Sequence, residues 1–242
     1  MGTHTSNSIG AATPTLAVDV AGVARRFGAS WVLRGVTLAV ERGEVVGLLG
    51  ANGSGKSTML RILSTLLQPH AGTARVWGHD VKREAEDVRS LIGYLGHAPG
   101  LYDDLTAREN LTFAASMLDR DRHDVDRALD RVDLLKVANA PVRGFSSGMQ
   151  RRLAVARLML VRPRLLLLDE PYSNLDAAGL DVVNSLIAEW VSDGAAALVV
   201  LHELAPAAPV LDRTVTIRNG LIAANEDSFG AATARVPLAV TR

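Results

Sequence analysis

The sequence lacks cysteine and long apolar runs. The absence of cysteine excludes disulfides, thiolate metal sites and cysteine nucleophiles, which suits a reducing compartment. The longest uninterrupted apolar runs, residues 165–168 and 195–201, fall far short of the ~18 residues that a membrane helix requires. We therefore expect a chain that does not cross a membrane by itself.

A net charge is also lacking, because 26 Lys and Arg residues balance 26 Asp and Glu residues. No global basic field is available to gather nucleic acid, so we do not expect nucleic acid as the main partner. Residues 1–15 have neither the basic head nor the apolar core of a secretory signal, and their composition predicts a disordered arm. Periodic patterns run from 16 to 226, which predicts one domain there and a tail over 227–242.

The most informative stretch is glycine-rich and lies between an apolar run, 45–49, and a helix-like segment, 58–63. This order of strand, glycine-rich loop and helix is that of a P-loop, whose backbone N–H groups and helix dipole bind phosphate. An ordinary glycine-rich turn is the alternative, and the flanking strand and helix disfavour it. Lys56 is expected to reach the β- and γ-phosphates, and the Ser57 hydroxyl to bind Mg²⁺. The candidate nucleotide-binding residues here are Gly50, Asn52, Gly53, Ser54, Gly55, Lys56, Ser57 and Thr58.

Two carboxylates follow a fully apolar strand, 165–168, which indicates the buried centre of a parallel sheet. Open α/β sheets bind their ligands at the carboxyl edge of such strands. Asp169 is therefore predicted to serve Mg²⁺, and Glu170 to lie near the attacking water. The alternative is a helix N-cap, which the presence of a P-loop makes less favourable.

Three further positions carry weaker signals. Ser146 is a natural N-cap, and the small residues up to Gly148 leave N–H groups open at a helix start, which makes a second potential phosphate site. His202 follows another apolar strand, 196–201, where a γ-phosphate contact competes with a structural role. Phe27 precedes a glycine turn, and either stacks on adenine or belongs to the core.

The middle third of the chain is helical, while both flanks alternate strand and helix. Thr106 begins a predicted capping box, and helices are expected over 106–117 and 123–132. The charged segment 81–90 also predicts a helix, and Asn219-Gly220 predicts a hairpin. We infer a helical lobe, about 97–154, inserted into an α/β core.

In the order of these motifs the chain resembles the nucleotide-binding subunit of an ABC transporter, over about residues 16–226. The resemblance implies an α/β P-loop NTPase with a RecA-like parallel-sheet core, an N-terminal antiparallel β subdomain and an inserted α-helical lobe. It also implies two subunits that face head to tail and sandwich two ATP molecules. Each ATP is then held by the P-loop of one subunit and the signature, 145–150, of the other.

The same resemblance assigns roles to single residues. Glu170 lies at the end of the Walker B strand and polarises the water, His202 contacts the γ-phosphate, and Asp176 in the D-loop links the two sites. Phe27 is the aromatic residue of the A-loop. Ser146 and Gly148 are the signature positions that touch phosphate.

Three positions depart from the usual pattern of the family. The signature reads Phe-Ser-Ser-Gly-Met instead of Leu-Ser-Gly-Gly-Gln, although Ser146 and Gly148 are kept. His97 stands where the Q-loop glutamine usually lies, and its neutral imidazole is a candidate ligand for Mg²⁺ or the water, whereas a protonated ring would repel the ion. Tyr172 replaces a common phenylalanine.

The function that the resemblance implies is Mg²⁺-dependent ATP hydrolysis that energises transmembrane transport through closure of the dimer. The implied partners are a second nucleotide-binding subunit, either an identical copy or a close homologue, and separate transmembrane permease subunits. The permease subunits dock around 102–110 at the inner, cytoplasmic face of the cell membrane. Export is favoured, since the loop at 96–100 is similar to that of the haem exporter ATPase and the single-cassette layout suits drug exporters. The alternative is an ABC-type ATPase that acts on DNA or ribosomes.

Overall fold

A computed structural model describes residues 16–118 and 120–223 of the chain. The predicted arm and tail, 1–15 and 227–242, lie outside the described residues. Two β-sheets and six α-helices form the described fold. None of these helices combines the length and the apolarity that crossing a bilayer requires.

A four-stranded antiparallel sheet forms the first layer, with strand order β2-β1-β4-β5. Its long hairpin pairs the two strands that precede the P-loop, so that Val18 lies opposite Val40 and Val20 opposite Leu38. All four side chains are buried, as period-two alternation predicts for a half-buried sheet. The strands are β1 (Leu16–Phe27), β2 (Ser30–Glu41), β4 (Ala71–Val76) and β5 (His79–Asp80).

A six-stranded sheet forms the second layer, with order β10-β9-β3-β8-β7-β6. Its strands are parallel except β10, which closes the predicted hairpin with β9. Every residue of β7 and β8 is buried, as the apolar runs predicted. The strands are β3 (Val45–Leu49), β6 (Ile92–Leu95), β7 (Leu165–Asp169), β8 (Ala196–Val200), β9 (Arg213–Arg218) and β10 (Leu221–Ile222).

Three of the six described helices, which begin at Ala107, Arg122 and Ser147, start within the expected lobe, 97–154. The described helices are α1 (Lys56–Leu63), α2 (Ala85–Leu91), α3 (Ala107–Ser116), α4 (Arg122–Arg131), α5 (Ser147–Val161) and α6 (Ala177–Ser192). Thr106 and Glu109 form the predicted capping box. The helix predicted from residue 81 begins only at Ala85, because the Asp80 carboxylate accepts hydrogen bonds from the N–H groups of Lys82 and Arg83 and holds a turn there.

Helix α5 joins the lobe to the sheet. Leu153 and Leu160 lie in the lobe core with apolar residues of α3 and α4. Val155 and Leu158 belong to a second core, which α6 and the parallel sheet complete. Since both faces of α5 are buried, a displacement of this helix changes the packing of the lobe core and of the second core.

Candidate functional site

The P-loop connects β3 to α1 and requires glycine at two positions. Gly50 has φ 145°, and a Cβ there would lie 2.4 Å from the Ile217 carbonyl oxygen; at Gly55, with φ 113°, it would lie 2.5 Å from a Leu33 methyl. Gly55 is also the N-cap of α1, and no side chain caps that end. The first-turn N–H groups, including those of the half-buried Ser57, therefore remain available to an anion.

Lys56 lies inside the loop and is almost fully buried. Its Nζ donates to the carbonyl oxygens of Gly50 at 2.6 Å and Ala51 at 3.1 Å. The Ser54 hydroxyl is buried and has no hydrogen-bond partner in the described part of the chain. A buried cation and an unpartnered hydroxyl at one loop form a site that suits phosphate oxygens.

Asp169 ends β7 and is 1% exposed, yet neither of its carboxylate oxygens has a hydrogen-bond partner among residues 16–118 and 120–223. A buried carboxylate without a partner costs free energy, and a bound cation would offset that cost. Carboxylate and hydroxyl oxygens are ligands that Mg²⁺ prefers. The predicted donors Asp169 and Ser57 therefore fit this ion.

Glu170 is held between two histidines. Its Oε1 lies 2.6 Å from Nε2 of His202, and its Oε2 lies 3.6 Å from Nδ1 of His97. The Ser173 hydroxyl donates to Oε2 at 3.4 Å. The backbone of Glu170 has φ 53°, a left-handed conformation that costs free energy in a non-glycine residue, and its N–H donates to the Val200 carbonyl at 3.2 Å. The fold thus brings the predicted Glu170, His202 and His97 together.

A buried arginine, which the sequence did not single out, lies behind the two carboxylates. Arg151 of α5 donates to the main-chain carbonyl oxygens of Asp169 at 3.2 Å and Glu170 at 2.7 Å. Burial lowers the pKa of Arg151, while the charges of Asp169 and Glu170 act in the opposite direction. Only the three-dimensional structure reveals this contact, because the sequence pattern of α5 is that of an ordinary buried helix.

Two exposed aromatic residues, Phe27 and Trp31, lie on either side of the β1–β2 turn. Phe27 ends β1 and is 45% exposed, with the Arg25 guanidinium 4.9 Å from the centre of its ring. It does not line the cavity of about 760 Å³ that the P-loop borders. Trp31, across the β1–β2 turn, does line that cavity together with residues 50–54 and 216–220.

The signature residues lie at the start of α5 and contact the D-loop. Ser146 is the N-cap of α5, as predicted, and accepts from the Met149 N–H at 3.2 Å. Gly148 packs against the D-loop so closely that a Cβ would lie 2.7 Å from the Asn174 carbonyl oxygen. Neither residue lines the cavity beside the P-loop. Asp176 caps α6, where its Oδ1 accepts from the Gly179 N–H at 2.9 Å.

A P-loop after β3, a carboxylate pair after β7 and a histidine after β8 meet at one edge of a parallel sheet, which defines a P-loop nucleoside triphosphatase. A match to the family described as ABC transporter covers residues 33–173, and the chain belongs to that family. It is an ATP-binding subunit and an ATPase that energises transport.

Three known proteins illustrate the likeness. The chain is 39% identical over 212 residues to the daunorubicin resistance ATP-binding protein DrrA3 of Streptomyces coeruleorubidus, which covers 86% of this chain and 67% of that protein. It is 40% identical over 184 residues to the cytochrome c biogenesis ATP-binding export protein CcmA 2 of Cupriavidus metallidurans, covering 75% and 87%. A dimeric ATP-binding cassette in a post-hydrolysis state with ADP and Pi superposes with a TM-score of 0.75 at 27% identity, covering 85% and 96%.

Proposed function

We propose that this protein hydrolyses MgATP between two copies paired head to tail, and that closure of the pair drives export through separate permease subunits. The observation that carries the proposal is the buried, unpartnered carboxylate of Asp169 beside Glu170, at the sheet edge that also carries the P-loop. These groups provide a cation site and a candidate base next to a phosphate cradle.

We assign a role in the reaction to each side chain of the site. Lys56 leaves the loop carbonyls and binds the β- and γ-phosphates, and the α1 N–H groups hold the remaining oxygens. Ser57 and Asp169 hold Mg²⁺, which neutralises phosphate charge when bound. Glu170 orients the attacking water, and His202 fixes the Glu170 carboxylate through its 2.6 Å contact and approaches the γ-phosphate.

The second half of each site comes from the partner copy. Ser146 and Gly148 lie at the start of α5, a second helix N-terminus whose first turn carries no acidic residue. In a head-to-tail pair the open N–H groups of this helix start face the γ-phosphate held by the other copy. This arrangement accounts for two phosphate-binding helix starts in one chain.

The permease is proposed to dock on the lobe beside His97. Tyr102 and Phe113 are about half exposed and pack edge to face, with ring centres 5.5 Å apart. Met117 and Leu118 extend the apolar surface at the end of α3. Exposed apolar patches of this kind favour protein contacts, and a docked permease places the subunit at the cytoplasmic face of the membrane.

Export is supported by the relatives, because DrrA3 is named for daunorubicin resistance and CcmA 2 for export in cytochrome c biogenesis. The loop over 96–100, with His97, resembles that of the haem exporter ATPase. We propose export as the direction of transport. The permease subunit contacts the cargo and therefore selects it. Action on nucleic acid is disfavoured by the zero net charge.

The substitution Glu170→Gln tests the hydrolytic assignment. It keeps the shape of the side chain and removes the carboxylate charge, so we expect ATP binding to persist while turnover falls at least about a hundredfold. Sedimentation with ATP should then show a dimer, and without ATP a monomer. Turnover at the wild-type rate would remove Glu170 from the mechanism, and a monomer with bound ATP would contradict the head-to-tail pair.

A further inference from the structure

The guanidinium of Arg151 connects α5 to the loop over 96–100 and to the end of β7. Arg151 is 5% exposed and donates from Nη1 to the carbonyl oxygen of Gly96 at 2.9 Å. Its Nη2 donates to the carbonyl oxygens of Asp169 and Glu170. The planar fork of arginine suits several acceptors at once, which a lysine ammonium on a flexible stem does not reproduce.

A second arginine of the same helix holds the other end of the same loop. Arg157 donates from Nη1 to the Gly100 carbonyl oxygen and from Nη2 to the Pro99 carbonyl oxygen at 3.1 Å. Burial lowers the pKa of this guanidinium, as expected for a cation that contacts backbone oxygens instead of water. Loop 96–100 is therefore bound to α5 at both ends, with His97 between the two attachments.

His97 itself has little that would hold it in place. Its side chain is 74% exposed, and its contact with Glu170 spans 3.6 Å. The position of the ring beside Glu170 therefore depends on the backbone of the loop, whose carbonyl oxygens the two arginines contact. Because Arg151 lies five residues after Ser146, the helix that carries the signature also carries these attachments.

We propose that Arg151 and Arg157 are positioning residues, an arginine clamp that makes loop 96–100 move with α5 and sets His97 against Glu170. A displacement of α5, whether caused by the signature meeting ATP or by a permease pressing on the lobe, then reaches the Glu170 carboxylate through the loop. This inference rests on the proposed function, since it assigns the clamp to the hydrolytic step.

The first test compares the kinetics of Arg151→Met and Arg157→Met with those of the full wild-type chain. We expect kcat for ATP to fall about tenfold in Arg151→Met and less in Arg157→Met, with KM for ATP unchanged within about twofold. Arg151→Lys keeps the charge and one donor direction, so it should recover only part of kcat. A purely structural role would instead lower the folded fraction without this split between kcat and KM.

The matched control is Arg152→Met. Arg152 is the next residue of α5, and its contacts remain in the lobe, with the Val132 carbonyl at 3.5 Å and the Asp133 carboxylate at 3.8 Å. Its loss should leave kcat at the wild-type value. Equal losses of kcat in Arg151→Met and Arg152→Met would overturn the proposal.

The second test is hydrogen exchange of backbone amides in nucleotide-free protein. Amides over 96–100 should exchange at least about fivefold faster in either clamp variant than in wild type, while those of β3 stay unchanged. Unchanged exchange in the loop overturns the clamp even if turnover falls. If turnover by the wild-type protein does not depend on Glu170, the proposed function is wrong. The exchange experiment still tests the clamp in that case, because it needs no ATP.

Discussion

Asp169 is buried and both of its carboxylate oxygens lack a hydrogen-bond donor among the described residues, an environment that suits a bound cation. Replacing it with asparagine removes a buried charge that no hydrogen bond satisfies among the described residues, so we expect nucleotide-free protein to keep or gain stability, by about 1 kcal/mol. The same change should abolish the stabilisation that ATP and Mg²⁺ give together. Thermal unfolding with and without MgATP measures both effects. A loss of more than about 1 kcal/mol without nucleotide would instead assign the carboxylate a structural role.

At the same scale, the two histidines around Glu170 differ in how they are held. His202 makes a 2.6 Å contact from the segment directly after β8, whereas His97 lies at 3.6 Å on an exposed loop. The His202 contact follows from the pairing of β7 with β8, in which Asp169 lies opposite Val200. The His97 contact follows from the attachment of a loop to α5.

At the scale of single elements, α3 carries a complete capping box. The Thr106 hydroxyl accepts from the Glu109 N–H at 3.1 Å, and the Glu109 carboxylate accepts from the Thr106 N–H at 2.8 Å. Thr106→Val removes the hydroxyl at nearly constant volume, so we expect a loss of about 1 kcal/mol in the free energy of unfolding. Urea unfolding measures it. Glu109→Gln, which keeps an acceptor oxygen, serves as the milder control.

The capping box also gives α3 a pH dependence. Hydrogen bonds from the Thr106 N–H and hydroxyl lower the pKa of Glu109 below its ordinary value of 4.5. A carboxyl with a lowered folded-state pKa stabilises the protein above 4.5, and the contribution is lost as pH falls through the folded-state pKa. The difference between wild type and Thr106→Val should therefore shrink in acid and stay constant near neutrality. A difference that grows in acid would contradict this sign.

At the scale of the whole molecule, the head-to-tail pair predicts complementation between two inactive variants. Lys56→Ala disables the P-loop, and Ser146→Trp blocks the signature while ATP still binds the intact P-loop. A mixed pair combines the intact P-loop of the Ser146→Trp copy with the intact signature of the Lys56→Ala copy. Equal mixtures should therefore regain activity, up to about one quarter of wild type if pairs form at random and each site works alone.

An ATPase assay of each variant alone and of the mixture measures the effect. Each variant alone is the control and should be nearly inactive. A mixture as inactive as its components, with mixed dimers demonstrated by sedimentation, would contradict composite sites. An equal mixture of Lys56→Ala with a second P-loop variant should regain no ATPase activity. This control separates complementation from simple dilution.

The sequence by itself determined the features that depend on neighbours along the chain. The P-loop, the capping box of Thr106, the Asn219-Gly220 hairpin and the buried strands β7 and β8 were all predicted, because glycine conformations, local side-chain caps and apolar runs act over a few residues. The family and its ATPase activity also followed from the order of the motifs.

Only the tertiary structure decided which distant residues meet. The strand order places His202 on Glu170, the β1–β2 turn puts Trp31 rather than Phe27 beside the P-loop cavity, and α5 brings Arg151 behind the carboxylates. These contacts depend on sheet order and helix packing, which the whole hydrophobic core sets, so no local pattern in the sequence encodes them.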